Sequence, residues 1–105
     1  MNALQILQQA RDKIAIGWTQ GWFARDIYDK RVEISSTSAC KFCLSGALWQ
    51  DDATGEQVLI AKRLLNAHIG TRFDNIVDFN DNVCTKQEDV LALLDKTIEN
   101  AKGFY

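Results

Sequence analysis

CKFCLSGALW, residues 40–49, is the least polar run in the chain, with Lys41 as its only charge. It sets two cysteines three residues apart, ahead of the small residues Ser45, Gly46 and Ala47. A segment apolar on nearly every side is one buried all round. The run therefore predicts a central helix, with the other elements packed over it. Ser38, just upstream, is placed to cap that helix by accepting a hydrogen bond from an otherwise unpaired backbone N–H.

Working outward, Ala3, Leu7, Ala10 and Ile14 recur at helical spacing, with Leu4 and Ile6 widening the face. Gly17 is positioned to close this first helix in the left-handed conformation that glycine adopts without strain. Between Trp18 and Ile34 the residue types change. Trp22, Phe23, Ile27, Tyr28, Val32 and Ile34 are aromatic or β-branched, and Tyr28-Asp29-Lys30-Arg31 is a polar turn between two short runs. This predicts a β-hairpin that leans its aromatic face on the helices, since two strands alone are marginal in water. Beyond the central run, Thr54 and Gln57 form a capping box for a helix carrying Val58, Ala61, Leu65 and His68 on one stripe, with Gly70 as its stop. Ile76, Val77 and Phe79 suit either a helical turn or a buried extended piece, and Asn80-Asp81-Asn82 is turn chemistry. Thr85 and Glu88 form a second capping box, opening a last helix with Val90, Leu91, Leu94, Ile98 and Ala101 inside. Gly103 ends it, with Phe104 folding back on the last turn. The expected fold is a mainly helical α+β domain of about four helices and one β-hairpin, spanning residues 1–105.

Composition narrows the function. The 105 residues are 47% hydrophobic, enough for one domain with its own core. Twelve basic and fourteen acidic residues leave a net charge of −2, so no positive field draws a phosphate backbone and general nucleic-acid binding is disfavoured. No run of about eighteen apolar residues and no leader pattern occurs, so membrane spanning and secretion are not expected. Three cysteines are odd in number and too few for a disulfide framework, which suits a cytoplasmic protein.

Gly17-Trp18-Thr19-Gln20-Gly21, Ala24-Arg25-Asp26, Cys43-x-x-Gly46-Ala47-Leu48, Asn80-Asp81 and Val90-Leu91-x-Leu93-Leu94-Asp95 resemble, in this order, an uncharacterised family of small bacterial and phage proteins. The resemblance covers most of the chain and implies one domain; the family has no assigned activity. Phe79 stands where the family carries a tryptophan, and Tyr28-Asp29-Lys30-Arg31 replaces a glycine-containing turn.

Four constellations are candidates for chemistry. Cys40-Lys41-Phe42-Cys43 at a helix N-terminus would favour a thiolate and hold a second thiol in reach, as a dithiol oxidoreductase requires. Thioredoxin-like folds alternate strands and helices beside a cis-proline, however, and this chain has no proline. Buried packing is the ordinary state of a free cysteine. Cys40, Cys43, His68 and Cys84 together have the donor types of a zinc site, but His68 and Cys84 are isolated where structural sites draw close pairs, so no metal and no cofactor is expected. Cys43, His68 and one of Asp74, Asp78 or Asp81 would supply a thiol, a base and an orienting carboxylate, although spacing does not show that they meet. His68, on an apolar stripe near a helix end, more simply packs its ring. Those three aspartates lack the ladder and central glycine of a calcium loop.

Trp18, Gln20, Trp22, Arg25 and Asp26 form the fourth constellation. Tryptophan and arginine dominate interface hot spots, which makes this set a recognition surface. On the competing reading, Trp18 and Trp22 anchor the core while Arg25 and Asp26 pair with neighbours such as the Asn80-Asp81 turn. The resulting expectation is a non-enzymatic protein that binds a protein partner, a phage or mobile-element accessory factor acting on a host protein. The residues leave a homo-oligomer open. A thiol-dependent enzyme or redox protein using Cys43 with Cys40, and His68 as base, is the alternative.

Overall fold

A computed structural model describes residues 1–105. Helix α1 covers Ala3–Ile16 and buries Ala3, Ile6, Leu7, Ala10 and Ile14, the stripe its spacing requires. It begins with a capping box absent from the sequence expectations: Asn2 Oδ1 accepts from the Gln5 N–H and Gln5 Oε1 accepts from the Asn2 N–H, both at 2.9 Å. Helix α3, Gly55–Asn66, and helix α5, Gln87–Ala101, complete the scaffold, with α1 packed on both. Ile6, Leu7, Ile14, Leu65 and Leu94 are fully buried between these helices. Each such side chain contributes about 1.5–3 kcal/mol of transfer free energy, so the three-helix contact dominates stability.

The Cys40–Trp49 run is buried as expected, but it is not one helix. Lys41–Phe42 forms strand β2, and only Leu44–Ala47 is helical, as the single turn α2. The competing backbone bonds explain this. Phe42 N–H donates to Gly17 O at 3.0 Å and Phe42 O accepts from the Thr19 N–H at 3.1 Å, while Cys40 N–H reaches Arg25 O at 2.9 Å and Cys43 N–H reaches Phe23 O at 3.2 Å. Backbone bonded on both sides in this way is a central strand and has no groups left for a helical ladder. The cap is Cys43, whose Sγ accepts from the Gly46 N–H at 3.2 Å. Ser38 instead shares a hydrogen bond with Ser36.

Strand β1, Ala24–Arg25, pairs antiparallel with β2, placing Ala24 opposite Phe42 and Arg25 opposite Lys41. The two-stranded element therefore exists, but its second strand is not Val32–Ile34. The expected turn does close locally: Asp26 Oδ1 accepts from the N–H groups of Tyr28 and Lys30, and Asp29 adopts φ 62°. After Arg31, Val32 returns a single backbone bond to Ala24, and the chain then leaves. Ile27 and Tyr28, 74% and 79% exposed, face water and not the helices.

Two glycines are fixed by close approach. Gly17 closes α1 with extended backbone, φ −170°, in place of the expected left-handed turn. A Cβ there would stand 2.2 Å from the Cys40 carbonyl oxygen, so β2 can lie against the end of α1 only if residue 17 has no side chain. A Cβ on Gly46 would meet the Phe23 carbonyl oxygen at the same distance.

Helix α3 is capped by Thr54 as expected, its Oγ1 accepting from the Gln57 N–H at 3.2 Å, but it ends at Asn66, ahead of Gly70. Ile76–Asp81 is a fifth helix, α4, capped by Asn75, whose Oδ1 accepts from the Asp78 N–H at 3.0 Å. Helix α5 starts one residue later than its expected box. Thr85 is buried and does not cap; Asp89, not Glu88, reaches back to accept from the Lys86 N–H at 2.9 Å. The chain finishes in a 3-10 turn, Lys102–Phe104, with Phe104 exposed and not folded back. No helix is long and apolar enough to cross a membrane.

Candidate functional site

Asn80 is the polar centre of the molecule. It lies four residues after Ile76, on the inward face of α4, and is 1% exposed. Its Oδ1 accepts from Trp18 Nε1 at 2.8 Å and from the Leu44 N–H at 3.0 Å; its Nδ2 donates to Thr19 O at 3.2 Å and to Asp81 Oδ1 at 2.9 Å. Both lone pairs and both N–H groups are used, which is how a buried amide avoids a desolvation penalty. Asp81 Oδ1 also accepts from the Gly21 N–H at 3.1 Å. Gln20 Nε2 donates to the carbonyls of Asn80 and Asn82, both at 2.9 Å, satisfying acceptors that the end of α4 leaves open.

The Trp18-Thr19-Gln20-Gly21 segment and the Asn80-Asp81-Asn82 segment, some sixty residues apart, thus form one hydrogen-bonded lock. Of the predicted recognition set, Trp18 and Gln20 belong to this lock. Arg25 and Asp26 do not pair with the Asn80-Asp81 turn. Arg25 donates to the carbonyls of Asp29 and Gln20, and Asp26 holds its own turn. The role of Asn80 was missed because Asn-Asp-Asn reads as a turn. The available signal was a lone amide four residues after Ile76, in an otherwise apolar helical period.

The lock leaves Trp22 and Phe23 outside it. They are 40% and 50% exposed, with ring centroids 6.0 Å apart, and the Arg31 guanidinium lies 4.8 Å from the Trp22 ring centre. Both rings stand on the rim of a cleft of about 280 Å³ whose other side is α4, through Val77 and Asp81, with Cys43 and Ser45 at its floor. Phe23 is fixed there by its own carbonyl, which accepts from Cys43 N–H and rests on Gly46.

The cysteines occupy three environments. Cys43 is buried, and burial raises its thiol above the ordinary cysteine range, a shift to which the nearby Asp81 charge adds and which the Gly46 N–H opposes. A protonated thiol is a poor nucleophile at neutral pH. Cys40 and Cys43 flank an extended strand. Three residues at about 3.3 Å each set their Cα atoms about 10 Å apart, and odd spacing turns their side chains to opposite faces. Disulfide closure needs Cα atoms within about 7 Å. Cys84 is exposed and, with His68, lines a different cleft, between α4, α5 and the segment that follows α3. Cys40, Cys43, His68 and Cys84 therefore do not converge, and no three His, Cys, Asp or Glu side chains come together to hold a metal ion. Cys43 and His68 line separate clefts, so the thiol, base and carboxylate set is not assembled either. Asp78 caps the loop before α4 by accepting from the Asp74 N–H at 3.4 Å.

Comparison with curated proteins finds no match, and neither does comparison with solved structures. A model of a family of unknown function, DUF6197, matches residues 1–100, which include every residue of the lock and of the aromatic cleft. The chain belongs to this family of unknown function.

Proposed function

We propose that this protein is a small non-enzymatic binding module that docks on a protein partner through the Trp22–Phe23 face. The observation that carries the reading is two consecutive aromatic residues held half-exposed on a rigid backbone, at the mouth of a cleft lined by exposed Val77. Aromatic side chains lose little conformational entropy on binding, and here the backbone beneath them is already ordered, so association costs less. The occupant that fits is one bulky apolar side chain of the partner, inserted between Trp22 and α4. The raised Cys43 thiol favours packing over chemistry at the floor. As part of the same proposal, the partner is a host cytoplasmic protein and the module is a phage or mobile-element accessory factor, which the family resemblance suggests.

Photo-crosslinking from position 23, where benzoylphenylalanine keeps an aromatic ring beside an intact Trp22, identifies the partner in the native host, and titration of the purified pair tests the face. Trp22→Ala is expected to weaken binding by about tenfold or more, on the scale of an aromatic hot spot, with an unchanged melting temperature. A variant with all three cysteines changed to Ser is expected to bind as the natural chain does if it folds. Undiminished affinity in Trp22→Ala, or an activity that disappears from a folded cysteine-free variant, overturns the reading; the latter outcome favours the thiol enzyme.

A further inference from the structure

The largest cleft lies away from the aromatic face, on the other side of α4. It measures about 490 Å³, a size that suits a small molecule. The stripe Asp89, Ala92, Leu93 and Lys96 of α5 forms one wall; Phe73 and Phe79 form the apolar part of the other. Their rings meet edge to face, with centroids 5.2 Å apart, and brace one another as an aromatic wall.

Its polar lining is unbalanced. Arg72 and Lys96 both line the cleft, and neither takes part in an ion pair; the three in the molecule are Arg11–Asp95, Lys41–Asp29 and Lys102–Glu99. The one carboxylate present, Asp89, turns one oxygen to the Lys86 N–H at the start of α5, so the lining sets two cations against one anion. Asn82 uses its Oδ1 on the Cys84 N–H, leaving its Nδ2 as a donor. Two cations outside any ion pair, one of them Arg72 with its guanidinium 5.3 Å from the Phe73 ring centre, and a spare amide donor beside an aromatic wall match one kind of ligand.

We infer that this cleft binds a small molecule built of a flat apolar ring and an anionic headgroup, the ring against Phe73 and Phe79 and the anion between Arg72 and Lys96. The inference is independent of the partner-docking face. Arginine suits the headgroup because its planar fork pairs with carboxylate or phosphate oxygens, while lysine adds a point charge.

The probe is 1-naphthyl phosphate, titrated into the full chain and followed by amide chemical shifts. Saturable shifts at Ile69, Phe73 and Ala92 are expected. Cys84, exposed in the cleft wall, provides a second readout: the probe should slow its alkylation by iodoacetamide without slowing that of Cys40, which lies outside the cleft. Arg72→Gln with Lys96→Gln should weaken binding by about tenfold or more, since charge-assisted bonds are the strong ones. Neutral 1-naphthol should bind correspondingly less well. Lys96→Gln alone, an exposed helix position, covers the case in which the double variant is unstable. Absence of saturation, shifts that map to the Trp22 face, unprotected Cys84, equal binding of 1-naphthol, or unchanged affinity in the charge variants would each overturn the assignment.

Discussion

Replacing Asn80 with alanine removes four hydrogen bonds at once, and what those bonds leave behind sets the cost. The Leu44 N–H is buried and has no other acceptor, so its desolvation is uncompensated at about 1–3 kcal/mol. Trp18 Nε1 and Thr19 O are half-buried and recover part of their loss from water, about 0.5–1.5 kcal/mol each. The total, about 2–6 kcal/mol, is a large share of the roughly 5–15 kcal/mol that holds a domain together. At about 4–8 °C per kcal/mol for a domain near this size, the melting temperature should fall by about 8 °C or more. A thermal melt followed by circular dichroism measures that shift, and urea unfolding the free-energy loss. A double-mutant cycle with Trp18→Phe isolates the indole bond, with an expected coupling of about 1 kcal/mol. Asn80→Asp should fail as well, because it sets a carboxylate against Thr19 O and Asp81 where the amide donated. A loss below about 1 kcal/mol in Asn80→Ala, or no coupling to Trp18, would refute the claim that this lock holds α4 to the Trp18–Gly21 segment.

Two further outcomes test the surrounding packing. Gly46→Ala should destabilise by about 2–4 kcal/mol, because its Cβ meets backbone that cannot yield, whereas Gly55→Ala, with open space at the first turn of α3, should be neutral or stabilising by up to about 1 kcal/mol; thermal melts of the two variants compare them directly. Cys43 contributes a pH dependence of defined sign. Its folded-state pKa is raised above the unfolded value, so its contribution is fully present below that value and is lost as pH rises through the folded one. Stability should therefore fall above about pH 8.5, the unfolded cysteine value. Cys43→Ser, which retains an acceptor for the Gly46 N–H, should flatten the fall. Lys13, lowered mainly by burial, shifts stability in the opposite sense, so the difference between the two proteins is the quantity to read.

The face of each long helix was legible from spacing, because α1, α3 and α5 bury stripes that any helix of those residues must hide. Their ends were less so. Asn2 caps α1, where the spacing predicts no cap, and at α5 Asp89 takes the Lys86 N–H in place of the Thr85 and Glu88 box, since several short polar residues near a terminus compete for the same N–H groups and position decides among them. Trp22 was identifiable as part of an aromatic set, but not its separation from Trp18. Both belong to the same short segment, and only the presence of Asn80 opposite residue 18 turns one indole inward and leaves the other outside.

By itself the sequence determined that the fold is mainly helical, because hydrophobic periodicity is a local property and amphipathic helices must bury their stripes against one another. It also determined that Cys40–Trp49 is interior, since an apolar run has no favourable alternative. Tertiary structure decided what that run became. Lys41 and Phe42 are a strand because the carbonyls of Gly17, Phe23 and Arg25 and the Thr19 N–H bond the backbone from both sides, and those partners lie some twenty residues away. Local propensity carries no information about such partners. The Trp18–Asn80 lock arises in the same way, from an amide and an indole sixty-two residues apart that have no reason to pair until α4 is laid against the segment that follows α1.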